Sequence, residues 1–203
     1  MPGAEIPSLI DFCNPEDARE WERKAPSRPG RASILRAFVS ELHDLAANEF
    51  HVLELGSGPG FLAALLLEAF PSMRLTLLDF SYAMHDLARA RIGETNRVQF
   101  VERSFKEPNW GDGLGPFNAI ITNQAVHELR HKRYAQALHS QARKLLRPGA
   151  PYLVCDHWYG EGGMSDDQLY MDIPEQRHAL ESAGFRAVRQ VIVAGSLVMH
   201  RAA

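Results

Sequence analysis

Twenty consecutive residues, His51–Phe70 (HVLELGSGPGFLAALLLEAF), narrow the choice of fold more than any other part of this chain. An apolar run of strand length passes into Gly56, Gly58 and Gly60, and then into a stretch whose leucines recur at helical spacing. A strand that turns through glycines into a helix suits an anionic ligand. Glycine lets the ligand approach the backbone, and the first helical N–H groups have no partner inside the helix. A dinucleotide fingerprint would space the glycines G-x-G-x-x-G, whereas here they run G-x-G-x-G and Phe61 stands where the third would fall. Glu54, two residues ahead of the loop, would repel a diphosphate and attract an ammonium or sulfonium cation. A ligand-free turn, with Glu54 as a surface acid, is the plainer alternative. The buried type of strand that carries Glu54 argues against it, because unpaired acids are rarely buried.

From His51 onward, short apolar runs alternate with helical stretches, as in βα units on a mostly parallel sheet. Strands are expected at residues 51–55, 74–79, 97–101, 117–122 and 151–156, and helices near 60–69, 82–92, 131–146 and 174–183. Two extended runs joined around Gly195 and Ser196 read as a closing hairpin. Ahead of the first strand, Asn14 and Pro15 open a short charged helix, and a second, amphipathic helix runs from Ser33 to about Ala47. Phe61, Leu62, Leu65 and Leu66 are expected in the helix core. The 203 residues then form one domain: residues 1–48 a helical segment and possible lid, residues 49–203 a cofactor-binding α/β core.

Composition excludes several function classes. With 45% hydrophobic and 23% charged residues and a net charge of -3, the chain reads as an ordinary globular protein, and no nucleic-acid partner is expected. Cys13 and Cys155 lie too far apart for metal-ligand spacing or a disulfide framework, so no metal is expected and a reducing cytoplasm is the expected location. The start lacks a basic-then-apolar leader, and no run is apolar enough to span a membrane.

A ligand with a carboxylate and cationic centres would satisfy the helix N-terminus and Glu54 together, and S-adenosylmethionine has that charge pattern. Asp79, about 20 residues after the loop at the end of the second strand, sits where an acid accepts ribose hydroxyls. VLELGSGPG, LLDFSYAM and FNAIITNQAVHEL followed by LLRPGAPYLVCD resemble, in that order, the motifs of the class I S-adenosylmethionine-dependent methyltransferases. The resemblance covers about Arg31 to the C-terminus. It implies a Rossmann-like three-layer sandwich with a seven-stranded, mostly parallel sheet closed by an antiparallel hairpin. It assigns Glu54, Gly56, Ser57, Gly58 and Gly60 to the methionine portion of the cofactor, Asp79 to the ribose, Phe80 and Met84 to the adenine side, and Asn123 and Gln124 to the floor near the methyl group. Two positions depart from the family: Ser104 with Phe105 stands where many relatives carry an acid that contacts adenine, and Pro-Gly-Ala replaces Pro-Gly-Gly at Pro148–Ala150.

His127 and His157 follow the fourth and fifth strands and are the candidate general bases, the alternative for each being a hydrogen-bonded structural histidine. Asp156 and His157, adjacent on a strand, should point to opposite faces. Arg19, Arg23, Arg28 and Arg31 with Trp21 form either a lid that clamps an acidic or aromatic substrate or a solvated helix face. His157–Met164 is either a pocket wall or a plain loop. The expected function is methyl transfer to an oxygen, nitrogen or carbon of a small-molecule acceptor. The rivals are a nicotinamide-dependent oxidoreductase and a non-catalytic S-adenosylmethionine-binding module. The oligomeric state is left open.

Overall fold

The computed structural model describes residues 5–46 and 48–203. Seven strands run in sequence order as β1 (Phe50–Leu55), β2 (Met73–Asp79), β3 (Val98–Glu102), β4 (Ala119–Asn123), β5 (Tyr152–His157), β6 (Val188–Ala194) and β7 (Leu197–Ala202). They form one sheet in the order β3-β2-β1-β4-β5-β7-β6. The pairs among β1 to β5 are parallel, and β7 lies antiparallel between β5 and β6. Gly195, at φ 61, turns the hairpin that the sequence predicts. Strand order reverses between β1 and β4, so the loops leaving these two strands part to opposite faces and open a cleft at their carboxyl ends.

Among the described residues there are six α-helices, α1 (Pro15–Lys24), which packs on α4, and α2 (Arg31–Leu42), α3 (Phe61–Ala69), α4 (Tyr82–Ile92), α5 (Ala135–Lys144) and α6 (Ile173–Ser182), which flank the sheet. Their ends follow local chemistry. Asn14 caps α1 by accepting from the Glu16 N–H at 2.8 Å, and Asp172 and Glu175 form a reciprocal capping box at α6. Two expected helices are shorter than their hydrophobic pattern. The helix expected to reach Ala47 ends at Leu42 and continues as a 3-10 turn, His43–Leu45, with Ala47 itself outside the described residues. The helix expected from His131 begins at Ala135, after the 3-10 turn Lys132–Tyr134.

Strand alternation divides the core. Val52, Leu75, Leu77, Ile121 and Leu153 pack on one face with Ile34, Phe38 and Leu42 of α2 and Leu62 and Leu66 of α3. Leu53, Leu55, Leu78, Ile120, Tyr152 and Val154 pack on the other with Leu138 of α5 and Leu180 of α6. Glu54 therefore leaves the sheet on the α2 and α3 side, and Asp156 on the α5 and α6 side. That division decides the partner of each acid.

Candidate functional site

A cavity open to one side occupies the cleft at the β1 and β4 strand ends. Glu54, Gly56, Ser57, Gly58, Asp79, Phe80, Met84, Phe105, Asn123, Gln124 and His127 all line it. Three of the expected site residues do not. Gly60, at φ 74, forms the left-handed start of α3 and packs against α4, where a Cβ would lie 3.0 Å from that of Ala88. Ser104 lies in an adjoining opening that shares Phe12, Phe80, Phe105 and Glu128 with the first. His157 sits behind the cavity, with Nδ1 at 2.9 Å from Ser196 Oγ, and none of the residues from His157 to Met164 lines it.

One end of the cavity is built around Glu54. The side chain is 2% exposed and its Oε2 has no hydrogen-bond partner. Burial foremost, with the Asp79 charge added, pushes its pKa up to about 8, against the pull of Arg31. Arg31, on the first turn of α2, is buried at 6% exposure, with its guanidinium carbon 4.7 Å from the centroid of Phe61. Phe61 is thus not core as expected. It is the first residue of α3, partly buried at the cavity wall, and Arg91 stacks on the same ring at 3.7 Å. Leu62 and Leu66 are core as expected, whereas Leu65 is only partly buried.

Asp79 is tied to the glycine loop. Its Oδ2 accepts from the Gly58 N–H at 2.8 Å and its Oδ1 from the Ser81 N–H at 3.0 Å. Burial raises its pKa to about 6 despite these bonds. Because Asp79 takes the Gly58 N–H, the loop donors without side-chain caps are those at the start of α3. Asp79→Ala is expected to weaken S-adenosylhomocysteine binding at least tenfold by calorimetry, and unchanged affinity would remove Asp79 from the ribose role.

At the other end, Asp156 and His127 form a buried pair. Asp156 Oδ1 lies 2.6 Å from His127 Nδ1, while Oδ2 accepts from the His127 backbone N–H at 2.8 Å. Asp156 also accepts from the His157 N–H at 2.7 Å. Glu128 Oε1 stands 3.3 Å from His127 Nε2. Burial works against a charge on His127, but the two carboxylates outweigh it and raise its pKa to about 10. At neutral pH the ring is an imidazolium, a donor of two hydrogen bonds and not a proton acceptor. Burial lowers the pKa of His157, whose ring packs 5.5 Å from that of His127.

Sequence reasoning missed part of this wall. Phe12 lines the cavity beside Trp21, with ring centroids 6.2 Å apart, and Arg28 and Arg31 line it too, whereas Arg19 and Arg23 are exposed. The signal for Trp21, Arg28 and Arg31 was present as one of two readings of a charged segment. For Phe12 and for the Asp156–His127 pair there was none, since their partners lie far along the chain. Four buried polar atoms at the cavity, Glu54 Oε2, Ser57 Oγ, Asn123 Oδ1 and Gln124 Nε2, have no partner. Buried polar groups are nearly always hydrogen-bonded, so this set fits a polar ligand with both donors and acceptors.

A family model described as a methyltransferase domain matches residues 52–149. Among curated proteins, the chain is 35% identical over 80 residues to trans-aconitate 2-methyltransferase of Enterobacter sp. strain 638, covering 39% of this chain and 29% of that protein. It is 29% identical over 107 residues to malonyl-[acyl-carrier protein] O-methyltransferase of Acetivibrio thermocellus, covering 51% and 36%. The chain spans about a third of the length of such relatives. Among solved structures, the DhpI–SAH complex superposes with a TM-score of 0.69 at 20% identity, covering 96% of both chains. Human N-acetylserotonin methyltransferase in complex with SAM gives 0.68 at 18%, covering 97% of this chain and 59% of that one. At such identities the structural likeness is one of fold. Among the described residues, no helix is long and apolar enough to cross a membrane, and no cluster of His, Cys, Asp and Glu is placed to hold a metal.

Proposed function

We propose that this chain is a class I S-adenosylmethionine-dependent methyltransferase that transfers a methyl group to a nucleophilic oxygen, nitrogen or carbon of a small-molecule acceptor. The observation that carries the reading is the apposition of Glu54 and Arg31 beside the glycine loop, where an amino acid's ammonium and carboxylate find opposite charges side by side. S-adenosylmethionine supplies a sulfonium-bound methyl, whose bonding pair stays with sulfur as the acceptor's lone pair takes the carbon.

The chain's own residues bind and orient. Glu54 and Arg31 hold the amino acid end, Asp79 the ribose, and Phe80, Met84 and Phe105 the adenine face, while Asn123 and Gln124 line the floor where the acceptor meets the methyl. Placement of two reactants at attack distance supplies roughly 7–11 kcal/mol, so the site requires no strong base. In this reading His127 is a positioned cation held by Asp156, and His157 packs behind it. Residues 1–48 act as the lid of a single unit, since Phe12, Trp21, Arg28 and Arg31 form one wall. The compartment we propose is the cytoplasm, where the thiols of Cys13 and Cys155 stay reduced. The malonyl-[acyl-carrier protein] relatives, by name, act on a carrier-bound acyl group, so a protein-tethered acceptor is the second reading.

Calorimetric titration with S-adenosylhomocysteine and NAD tests the proposal. Micromolar binding of the first and none of the second is expected, and preference for NAD overturns it. Glu54 adds a pH signature. With a pKa of about 8, it is protonated in the free protein at neutral pH and must lose that proton to meet a cation. Affinity for S-adenosylmethionine should therefore rise between pH 6 and 8, by up to about tenfold per unit, with a proton released on binding. Glu54→Gln should flatten that dependence and weaken binding about tenfold at pH 8. The stability effect has the opposite sign. A carboxyl raised from 4.5 to about 8 in the fold contributes stability below pH 4.5 that is lost as pH rises through about 8. The ligand-free Glu54→Gln protein should thus melt higher than the parent at pH 8, by about 3 °C or more.

A further inference from the structure

We propose that Arg28 anchors a carboxylate of the methyl acceptor, which makes an organic acid the substrate class of this site; the proposal rests on the methyl-transfer reading above. The cavity holds one more unmatched cation than the cofactor can neutralise. Arg28 and Arg31 both line it, and among the described residues neither forms an ion pair. S-adenosylmethionine carries a single carboxylate, and Arg31 is placed for that group by its position between Glu54 and Phe61. Arg28 is left over.

Arg28 is also underused as a donor. A guanidinium has five N–H donors, and the one side-chain bond of Arg28 runs from Nη1 to Gln124 Oε1 at 3.4 Å. Other part-buried arginines bind several acceptors. Arg97 reaches the carbonyls of Leu67, Phe70 and Pro71, and Arg130 those of Ile6 and Pro7 together with Glu128. Arg28 is nonetheless held in place, with its guanidinium carbon 4.7 Å from the centroid of Trp21. Its one partner, Gln124, has an unusual backbone, φ 58 in a non-glycine residue directly after β4, and a side-chain Nε2 with no partner. Strained residues of this kind cluster at ligand sites. A half-buried cation with free donors is unfavourable without a ligand, because burial removes hydration that no carboxylate replaces.

The planar fork of arginine takes a carboxylate through two parallel hydrogen bonds. With Arg31 placed for the cofactor's carboxylate, Arg28 is a single guanidinium, which matches the single charge of one carboxylate. Arg28 is bonded to Gln124 at the end of β4, where the acceptor meets the methyl, so an acid held there lies within the same cavity as the cofactor.

The test uses the full chain, Arg28→Gln and Arg28→Lys, each loaded with S-adenosylhomocysteine and titrated calorimetrically with paired probes: benzoate against benzamide and glutarate against glutaramide. Methyl transfer from labelled S-adenosylmethionine to the same compounds is measured in parallel. Each acid should bind the unaltered protein at least tenfold more tightly than its amide. Arg28→Gln should erase that preference and Arg28→Lys should keep part of it, while S-adenosylhomocysteine affinity stays within about threefold in all three. If S-adenosylhomocysteine binds but acid and amide bind alike, or Arg28→Gln keeps the preference, the anchor is overturned and methyl transfer stands. If the unaltered protein binds no S-adenosylhomocysteine, the methyl-transfer reading falls and the anchor with it.

Discussion

Asp156→Asn is expected to lower the free energy of unfolding by about 3–5 kcal/mol, the range found when one partner of a buried ion pair is removed. Asp156 accepts three hydrogen bonds, two from His127 and one from the His157 backbone, and is 4% exposed. An amide keeps one acceptor oxygen and turns an NH2 group toward N–H donors, so at least one buried donor is left unpaired and the imidazolium loses the nearer of its two counter-charges, with Glu128 remaining at 3.3 Å. The pH dependence has a definite sign. His127, raised from 6.5 to about 10 in the fold, contributes stability that is fully present below pH 6.5 and lost as pH rises through about 10. Asp156, with its pKa lowered, contributes stability above the ordinary carboxylate range that is lost as pH falls. The gap between parent and variant in urea unfolding should therefore be widest near pH 5–6 and narrow toward pH 10. A gap below about 1 kcal/mol at pH 6 would mean that the pair is not charged in the fold.

Gly56→Ala should reduce S-adenosylhomocysteine affinity at least a hundredfold while the chain keeps its sheet. Gly56 is at φ 67, and a Cβ built there lies 2.3 Å from the Cβ of Ala125. The left-handed conformation alone costs about 1–2 kcal/mol in a residue with a Cβ. The collision adds more, because Ala125 leads the chain into His127 and has little freedom to retreat. Relief comes by moving the β1–α3 loop away from the β4 loop, which shifts Ser57 from its place at the cavity and disturbs the bond from the Gly58 N–H to Asp79. Gly113→Ala is the control: φ is 76 there, and nothing lies within 4 Å of the added atom. Its stability loss reports the backbone penalty alone, and its affinity should match the parent. Gly56→Ala retaining parental affinity, with a far-ultraviolet spectrum unchanged, would remove the loop from the ligand site.

Local patterns made most of the fold legible. Strand positions agree with the apolar runs to within two residues at β1, β2, β3, β4 and β5, and α4 occupies Tyr82–Ile92 as expected. Each of these segments carries its own periodicity, its own turn residues and its own caps, so neighbours in sequence suffice to specify it. The shortfalls at α2 and α5 come from the same logic at its limit. Apolar residues continue the helical spacing past Leu42 and begin it before Ala135, yet the backbone there tightens into 3-10 turns. Phe61 shows how position overrides composition. An aromatic residue reads as core, but as the first residue of a helix after a left-handed glycine it stands at the cavity rim beneath two guanidinium groups.

The sequence by itself determined the strand–glycine–helix unit and the acidic positions Glu54 and Asp79 at successive strand ends. These follow from spacings of two, three and four residues and from the backbone freedom of glycine. Tertiary structure decided which charges face one another. Strand order places β4 beside β5, which brings Asp156 to His127, and the packing of α2 against α3 brings Arg31 to Glu54. It also decided protonation, since burial holds Glu54 neutral near pH 7 while two carboxylates hold His127 charged. Coulomb energy and desolvation depend on distance in space and on exclusion of water, and neither quantity exists until the sheet has closed around the cleft.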